Sequence, residues 1–362
     1  MSGEWHPELK KIIGRHRDFY AGKRDCLVKI YIPDDTPPDE LVPEPRYDGL
    51  DWDAQFTDYY ASRVKNGVVK ARRRLEKKLG DDHIPSYHPV FGAGIHSAMF
   101  GSELIFMGGT SYIKPPIKNA GEHHKLKINI ECKWMKRLAE GMKYCAENGS
   151  GVLAASLRGG NAPMDLANGI MGDVILTELL DDPENMRKVM GVCADACGLA
   201  YELQKKCASN VMGGFIAGHA DLWMPEPMFG HISVDASLLT GPDLYDEFEK
   251  KHIEDFVKKH GGFMVHTHMM GWRMLGAVAK TRGAEIIFPV NDPNADKSVA
   301  RLTEILNAVG DRILVIQIEN SDDLKTALNK LDGRKRIVFL VTASDTDDAL
   351  RKMEAIGRRY TI

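Results

Sequence analysis

The sequence predicts an α/β fold, a (β/α)8 barrel of the TIM type with an N-terminal extension. Three observations predict it. From about Tyr87 onward, short apolar, β-branched segments alternate with longer amphipathic ones. Eight of the short segments have strand length, and strands alternating with helices imply a parallel sheet with helical crossovers. Eight parallel strands favour closure over an open sheet, and a barrel with extensions accommodates 362 residues as one unit.

The first part of the chain differs from the rest, which places a boundary near residue 85. Residues 1–85 read as an extension and 86–362 as the barrel. Segment 31–47 carries Pro33, Pro37, Pro38, Pro43 and Pro45 among acidic residues, the composition of an extended arm. Residues 51–80 read as a helix ending in a basic run, 70–78, which is either a solvated face or a partner surface.

The strands are expected at 88–92, 104–107, 151–157, 211–217, 262–266, 285–289, 313–317 and 337–341. Helix signals fall between the later ones. Asp182-Pro183-Glu184 and Gly241-Pro242-Asp243 place proline at a first helical position. Ser321-Asp322-Asp323 and Ser344-Asp345 supply caps for the last two helices.

Composition removes some function classes. A net charge of -3 and a pI of about 6.5 give no basic excess for nucleic acid or an anionic membrane. No apolar run is long enough to span a bilayer, and residues 1–20 lack the apolar core of a signal peptide. The six cysteines form no C-x-x-C pair and read as small buried hydrophobes in a reducing cytosol. There is no Walker loop, no G-x-G-x-x-G after a strand and no G-x-S-x-G elbow.

In a barrel the active site forms at the C-terminal strand ends. Those ends carry His96, Arg158, Asn161, Asp165, His219, Trp223, His231, Asp235, Asn291 and Glu319. His266-Thr267-His268 is the sharpest group. Residues i and i+2 of a strand face one way, so both imidazoles can enter the mouth and share a Zn²⁺, with Glu319 or Asp292 as the carboxylate. The alternative is two histidines that bond substrate or neighbours without metal. Arg158 suits a substrate carboxylate or phosphate, or a structural ion pair. Asp235 either anchors a substrate amine or hydroxyl or caps the turn before Gly241-Pro242. Glu122-His123-His124 reads as a solvated face.

Two segments resemble the uroporphyrinogen decarboxylase superfamily. Arg158-Gly-Gly-Asn-Ala-Pro163, with the later Asp182-Pro183-Glu184, is similar to its strand-end turn and "DPE" helix start. Asp235-Ala-Ser-Leu-Leu-Thr-Gly-Pro-Asp-Leu-Tyr-Asp-Glu-Phe248 is similar to its "D-x-x-x-x-S-P-x-x-Y-x-E-F" segment. His266-Thr-His268 occupies the place of "H-x-C-G" in its corrinoid-linked methyltransferases. The resemblance spans roughly residues 90–360. It implies a TIM barrel and a methyltransferase that moves a methyl group between a corrinoid or methylated small molecule and a thiol or tetrahydrofolate. Zinc and a corrinoid protein are the implied cofactor and partner, and a homodimer the implied assembly.

The sequence departs from that pattern. His268 stands where the first zinc-binding cysteine is expected, and 341–345 holds no second one. The arginine-rich N-terminal motif of the decarboxylases is also missing. The resulting expectation assigns His266 and His268 to metal and Asp235, Glu319 and His219 to catalysis. His96, Arg158, Asn161, Trp223 and Asn291 are assigned to substrate. The alternatives are a decarboxylase or lyase on a tetrapyrrole or small carboxylate, and a non-catalytic ligand-binding barrel.

Overall fold

The computed structural model describes residues 4–228 and 230–362. Thirteen strands are present among them: β1 (Cys26–Tyr31), β2 (Ser86–Tyr87), β3 (Leu104–Met107), β4 (Thr110–Ile113), β5 (Ala154–Ala155), β6 (Gly160–Asn161), β7 (Gly214–Ala217), β8 (Leu222–Pro225), β9 (His231–Ser233), β10 (Phe263–His268), β11 (Ala284–Val290), β12 (Ile313–Ile318) and β13 (Ile337–Thr342). Seven form one sheet in the order β1-β13-β12-β11-β10-β9-β6, and every pairing in it is parallel. Helices connect its later strands, so the molecule is α/β.

The strands of this sheet are buried on both faces, which is why they read as nearly continuous apolar runs. On one face Leu27, Met264, Ile286, Phe288, Ile313, Val315, Val338 and Leu340 pack together. Their neighbours in sequence, Val28, Val265, Ile287, Leu314 and Phe339, pack against the helices. This period of two carries directly into the site. Met264, His266 and His268 share one face of β10, the inner one.

Beyond β1 the hydrogen bonding continues into a loop. The Asp82 amide donates to the Val28 carbonyl (2.7 Å), while the Asp82 and Asp81 carboxylates accept from the amides of Val28 (2.8 Å) and Ile30 (2.9 Å). Two side chains thus stand in for the carbonyls of a neighbouring strand. β2 pairs in parallel with β5, and Leu157 bridges in parallel to Ala217.

Several expected elements sit elsewhere. The sheet's first strand, Cys26–Tyr31, lies inside the span expected to be an extension, so the boundary after residue 85 does not mark where the sheet begins. Lys29 interrupts its apolar run. The side chain is nonetheless fully buried, because Nζ donates to the Ala220 carbonyl and Asp81, Asp82 and Asp221 stand near. Residues 88–92 are not a strand; the two-residue β2 precedes them, and Pro89 has no amide to offer a ladder. The 104–107 strand exists but forms an antiparallel hairpin with β4 through Gly108-Gly109, both at positive φ. Strand 214–217 is likewise paired antiparallel, with β8. The last four expected strands are where the pattern placed them, each within two residues at either end.

The caps follow the same logic. Asp182 and Asp345 accept from the amides of Asn185 and Asp348, whereas Asn320, not Ser321, caps the Ser321–Leu331 helix. The basic run on the Phe56–Glu76 helix and beyond meets the acidic proline-rich arm. Lys70 pairs with Asp34 (2.9 Å), Arg73 with Glu40 (3.0 Å) and Lys77 with Asp35 (2.8 Å). Glu122 pairs with Lys125, and both adjacent histidines bond backbone carbonyls. All six cysteines are free. No helix among the described residues is long and apolar enough to cross a membrane.

Candidate metal centre

Register decides which carboxylate meets the two histidines. β9 lies beside β10 with Ser233 opposite His266, so Asp235, two residues on, arrives beside His268. Asp235 Oδ1 stands 3.9 Å from His266 Nε2 and 3.7 Å from His268 Nε2. One ligand atom from each of Asp235, His266 and His268 lies within 4.8 Å of the others. Two ligands of one tetrahedral zinc, each at ~2.0–2.1 Å, sit about 3.3 Å apart, so a small contraction suffices.

The donor atoms are also free to bind. Asp235 Oδ1 is buried without a hydrogen-bond partner. An orphaned buried carboxylate oxygen is costly and calls for a cation or a proton donor. His268 Nδ1 meets Asp292 Oδ1 at 2.6 Å, and Asp292 Oδ2 accepts from the Met270 amide. A carboxylate behind a metal-binding imidazole fixes its tautomer and directs the other nitrogen's lone pair forward. Asp292, one of the two carboxylates expected as a ligand, therefore stands behind the site.

Burial keeps His266 and His219 neutral. His266 is pulled down to about 2 by desolvation and then by His219 and His268, and His219 to about 4. His219 packs edge-on against His266 at 3.8 Å between ring centroids, and His231 lies 5.2 Å beyond it. Asp235 is pushed up to about 6, chiefly by burial, with His268 opposing and Asp292 adding to the rise.

These groups open on a cavity of about 610 Å³ lined by Asp235, His266, His219, His231, His88, Arg158, Asn161 and Asp165 among others. Glycine makes room for two of the rings. A Cβ on Gly159, whose φ is +98°, would lie 2.1 Å from the His231 ring, and one on Gly218 would lie 2.5 Å from His88 Nδ1. Gly159 thus seats an imidazole. His96 lies just behind the lining, 1 % exposed, with Nδ1 3.0 Å from Asn161 Oδ1.

Three expected site residues are placed elsewhere. Trp223 is on β8, buried, and donates Nε1–H to the Val211 carbonyl (2.8 Å) while packing against His16 and Tyr20. Asp221 at φ +46° lies in the turn that reverses the chain before it, so Trp223 runs back from the mouth and holds the Pro7–Tyr20 helix. Glu319 pairs with Lys297 (2.7 Å), which lowers its carboxyl below the usual range, and accepts from Asn291 Nδ2 (2.9 Å). Asn291 also receives the Ser298 amide. Both residues brace the loop after β11 and do not line the cavity.

Asp165, expected at a strand end without an assigned role, lines the cavity, and Glu249, not singled out in the sequence, lies buried behind it. Asp165 Oδ1 accepts from the amides of Asp235 (2.9 Å) and Ala236 (2.6 Å) and so sets the turn that carries Asp235. Glu249 is fully buried, accepts from the Met164 amide (2.9 Å) and from the Ser237 hydroxyl, and joins the two segments. Burial pushes its carboxyl up to about 7. A carboxyl raised on folding stabilises fully below its unfolded value of 4.5 and loses that contribution as pH rises through 7. Glu249→Gln mimics the protonated acid. It is expected to remove about 3 kcal/mol of stability loss between pH 4.5 and 8, read from urea midpoints. Parallel curves for the two proteins would place the pH dependence elsewhere.

Compared with known proteins, the chain matches no protein-family model and no curated relative.

Proposed function

We propose that this chain is a metal-dependent methyltransferase built on the pattern of the uroporphyrinogen decarboxylase superfamily, with Asp235, His266 and His268 as the metal ligands. The observation that carries the proposal is the orphaned Asp235 oxygen facing two imidazoles, one of them braced by Asp292. The bridging hydrogen bonds from the Asp82 amide to the Val28 carbonyl, from the Ser156 amide to the Tyr87 carbonyl and from the Leu157 amide to the Ile216 carbonyl support closure of the strands into an eight-stranded barrel.

A zinc ion held by Asp235, His266 and His268 would lower the pKa of an acceptor thiol, and with one carboxylate instead of two thiolates around it the site would keep a net positive charge. The chain's own residues do the rest. Asp292 holds His268 in one tautomer. Asp165 holds the Asp235 turn. His219, neutral and facing the cavity, offers a lone pair as hydrogen-bond acceptor to the thiol, whose proton leaves to solvent. The donor set of two nitrogens and one oxygen suits zinc and leaves a position for the acceptor.

The test uses methylcobalamin as methyl donor with small thiols or tetrahydrofolate as acceptor, and follows loss of the cobalt–methyl absorbance. Turnover that requires zinc and falls by about 10²-fold or more in His268→Ala is the expected result. Donor and acceptors left unchanged by the zinc-loaded protein would count against methyl transfer.

A further inference from the structure

Arg158 is a cation without a counter-charge. It lines the same cavity as Asp235 and His266. Its one hydrogen bond runs from Nη2 to the Gly92 carbonyl (2.6 Å), and no carboxylate pairs with it among the described residues. The contrast with Arg24 is direct, since that buried guanidinium stands 3.3 Å from Asp82. A guanidinium taken from water and left unpaired is costly, so its presence in a cavity wall needs an explanation.

We infer that the substrate carries an anionic group, a carboxylate or phosphate, that seats on Arg158 while its reacting end faces Asp235 and His266. The planar guanidinium spends one Nη2 hydrogen on Gly92, and its second Nη2 hydrogen beside Nε–H or Nη1–H matches either anion through two parallel hydrogen bonds. The neighbours suit an anion as well. The Tyr47 hydroxyl, whose pKa Arg158 tends to lower, is buried without a partner. Asn161 gives its Oδ1 to His96, which leaves its Nδ2 donors uncommitted. Among the carboxylates lining the cavity, Asp165 accepts two backbone amides on Oδ1. His88 and His96 each feel Arg158 as a like charge, after desolvation, and are pulled down to about 3. Arg158 shares the cavity wall with His88, His219 and His231.

The inference rests on the cavity being the catalytic one, and its test separates the two. Malonate and inorganic phosphate serve as probes, titrated calorimetrically into wild type, Arg158→Gln and Arg158→Lys, with zinc content measured on the same samples. The expected result is binding of at least one probe to wild type, weakened about tenfold to a hundredfold in Arg158→Gln and less in Arg158→Lys. The tighter probe assigns carboxylate or phosphate. Arg158→Lys retains a charge in the wall and guards against a folding defect in the glutamine variant. Binding that depends on Arg158 in protein free of zinc supports the anion seat while removing the metal reading. Probes that bind neither form of the wild type, or bind Arg158→Gln equally well, overturn the inference.

Discussion

Zinc at about one equivalent per chain, falling to a trace in His266→Ala, is the result expected of protein purified without chelator. The size of the effect follows from the donor count. Three side chains supply the site, and removing one leaves Asp235 and His268 to hold a cation alone. Two controls sharpen the result. Glu319→Ala should keep its metal, because Glu319 is already engaged by Lys297 and Asn291. Asp292→Asn should bind zinc about 10–100-fold more weakly, because the His268 tautomer is then no longer enforced. Metal analysis after dialysis against zinc reads all four proteins. Wild type that stays empty would remove the thiol-activation mechanism. Equal losses in His266→Ala and Glu319→Ala would point to adventitious surface binding.

Asp82→Ala is expected to cost about 3–5 kcal/mol of stability, the largest loss from a single side chain away from the site. Asp82 is 1 % exposed. Its carboxylate accepts from Arg15 Nε at 2.7 Å, stands 3.3 Å from Arg24 Nη1 and accepts the Val28 amide at 2.8 Å. Alanine leaves a buried guanidinium at Arg24 uncompensated and the Val28 N–H at the sheet edge without an acceptor. Breaking one side of a buried charge pair costs more than the pair itself is worth, because the desolvated partner remains. Urea unfolding of wild type and Asp82→Ala checks this. A difference below about 1 kcal/mol would mean that water replaces the carboxylate at that edge.

The later half of the fold was legible residue by residue. Phe263–His268, Ala284–Val290, Ile313–Ile318 and Ile337–Thr342 are short, apolar and flanked by capping signals, and such runs form buried parallel strands wherever helices cover both faces. The H-x-H spacing likewise placed His266 and His268 on one face, since alternation along a strand is a local property. The first strand was hidden by Lys29, whose burial depends on a carbonyl 191 residues away. The hairpin at Gly108-Gly109 carried its signal in the two glycines, but nothing local tells an antiparallel ribbon from a strand of the main sheet.

The site divides along the same line. Local patterns were enough to read an α/β chain with polar strand ends and a paired-histidine motif. Which carboxylate meets that pair follows from the packing of distant segments. Asp235, Asp292 and Glu319 were equivalent as letters. They became a candidate ligand, a brace behind a candidate ligand and a loop anchor through the neighbour and register of each strand. Trp223 left the site for the same reason, turned away by a reversal at Asp221. Strand order and register are set by contacts between residues far apart in the chain, and local patterns of hydrophobicity do not encode distances of that kind.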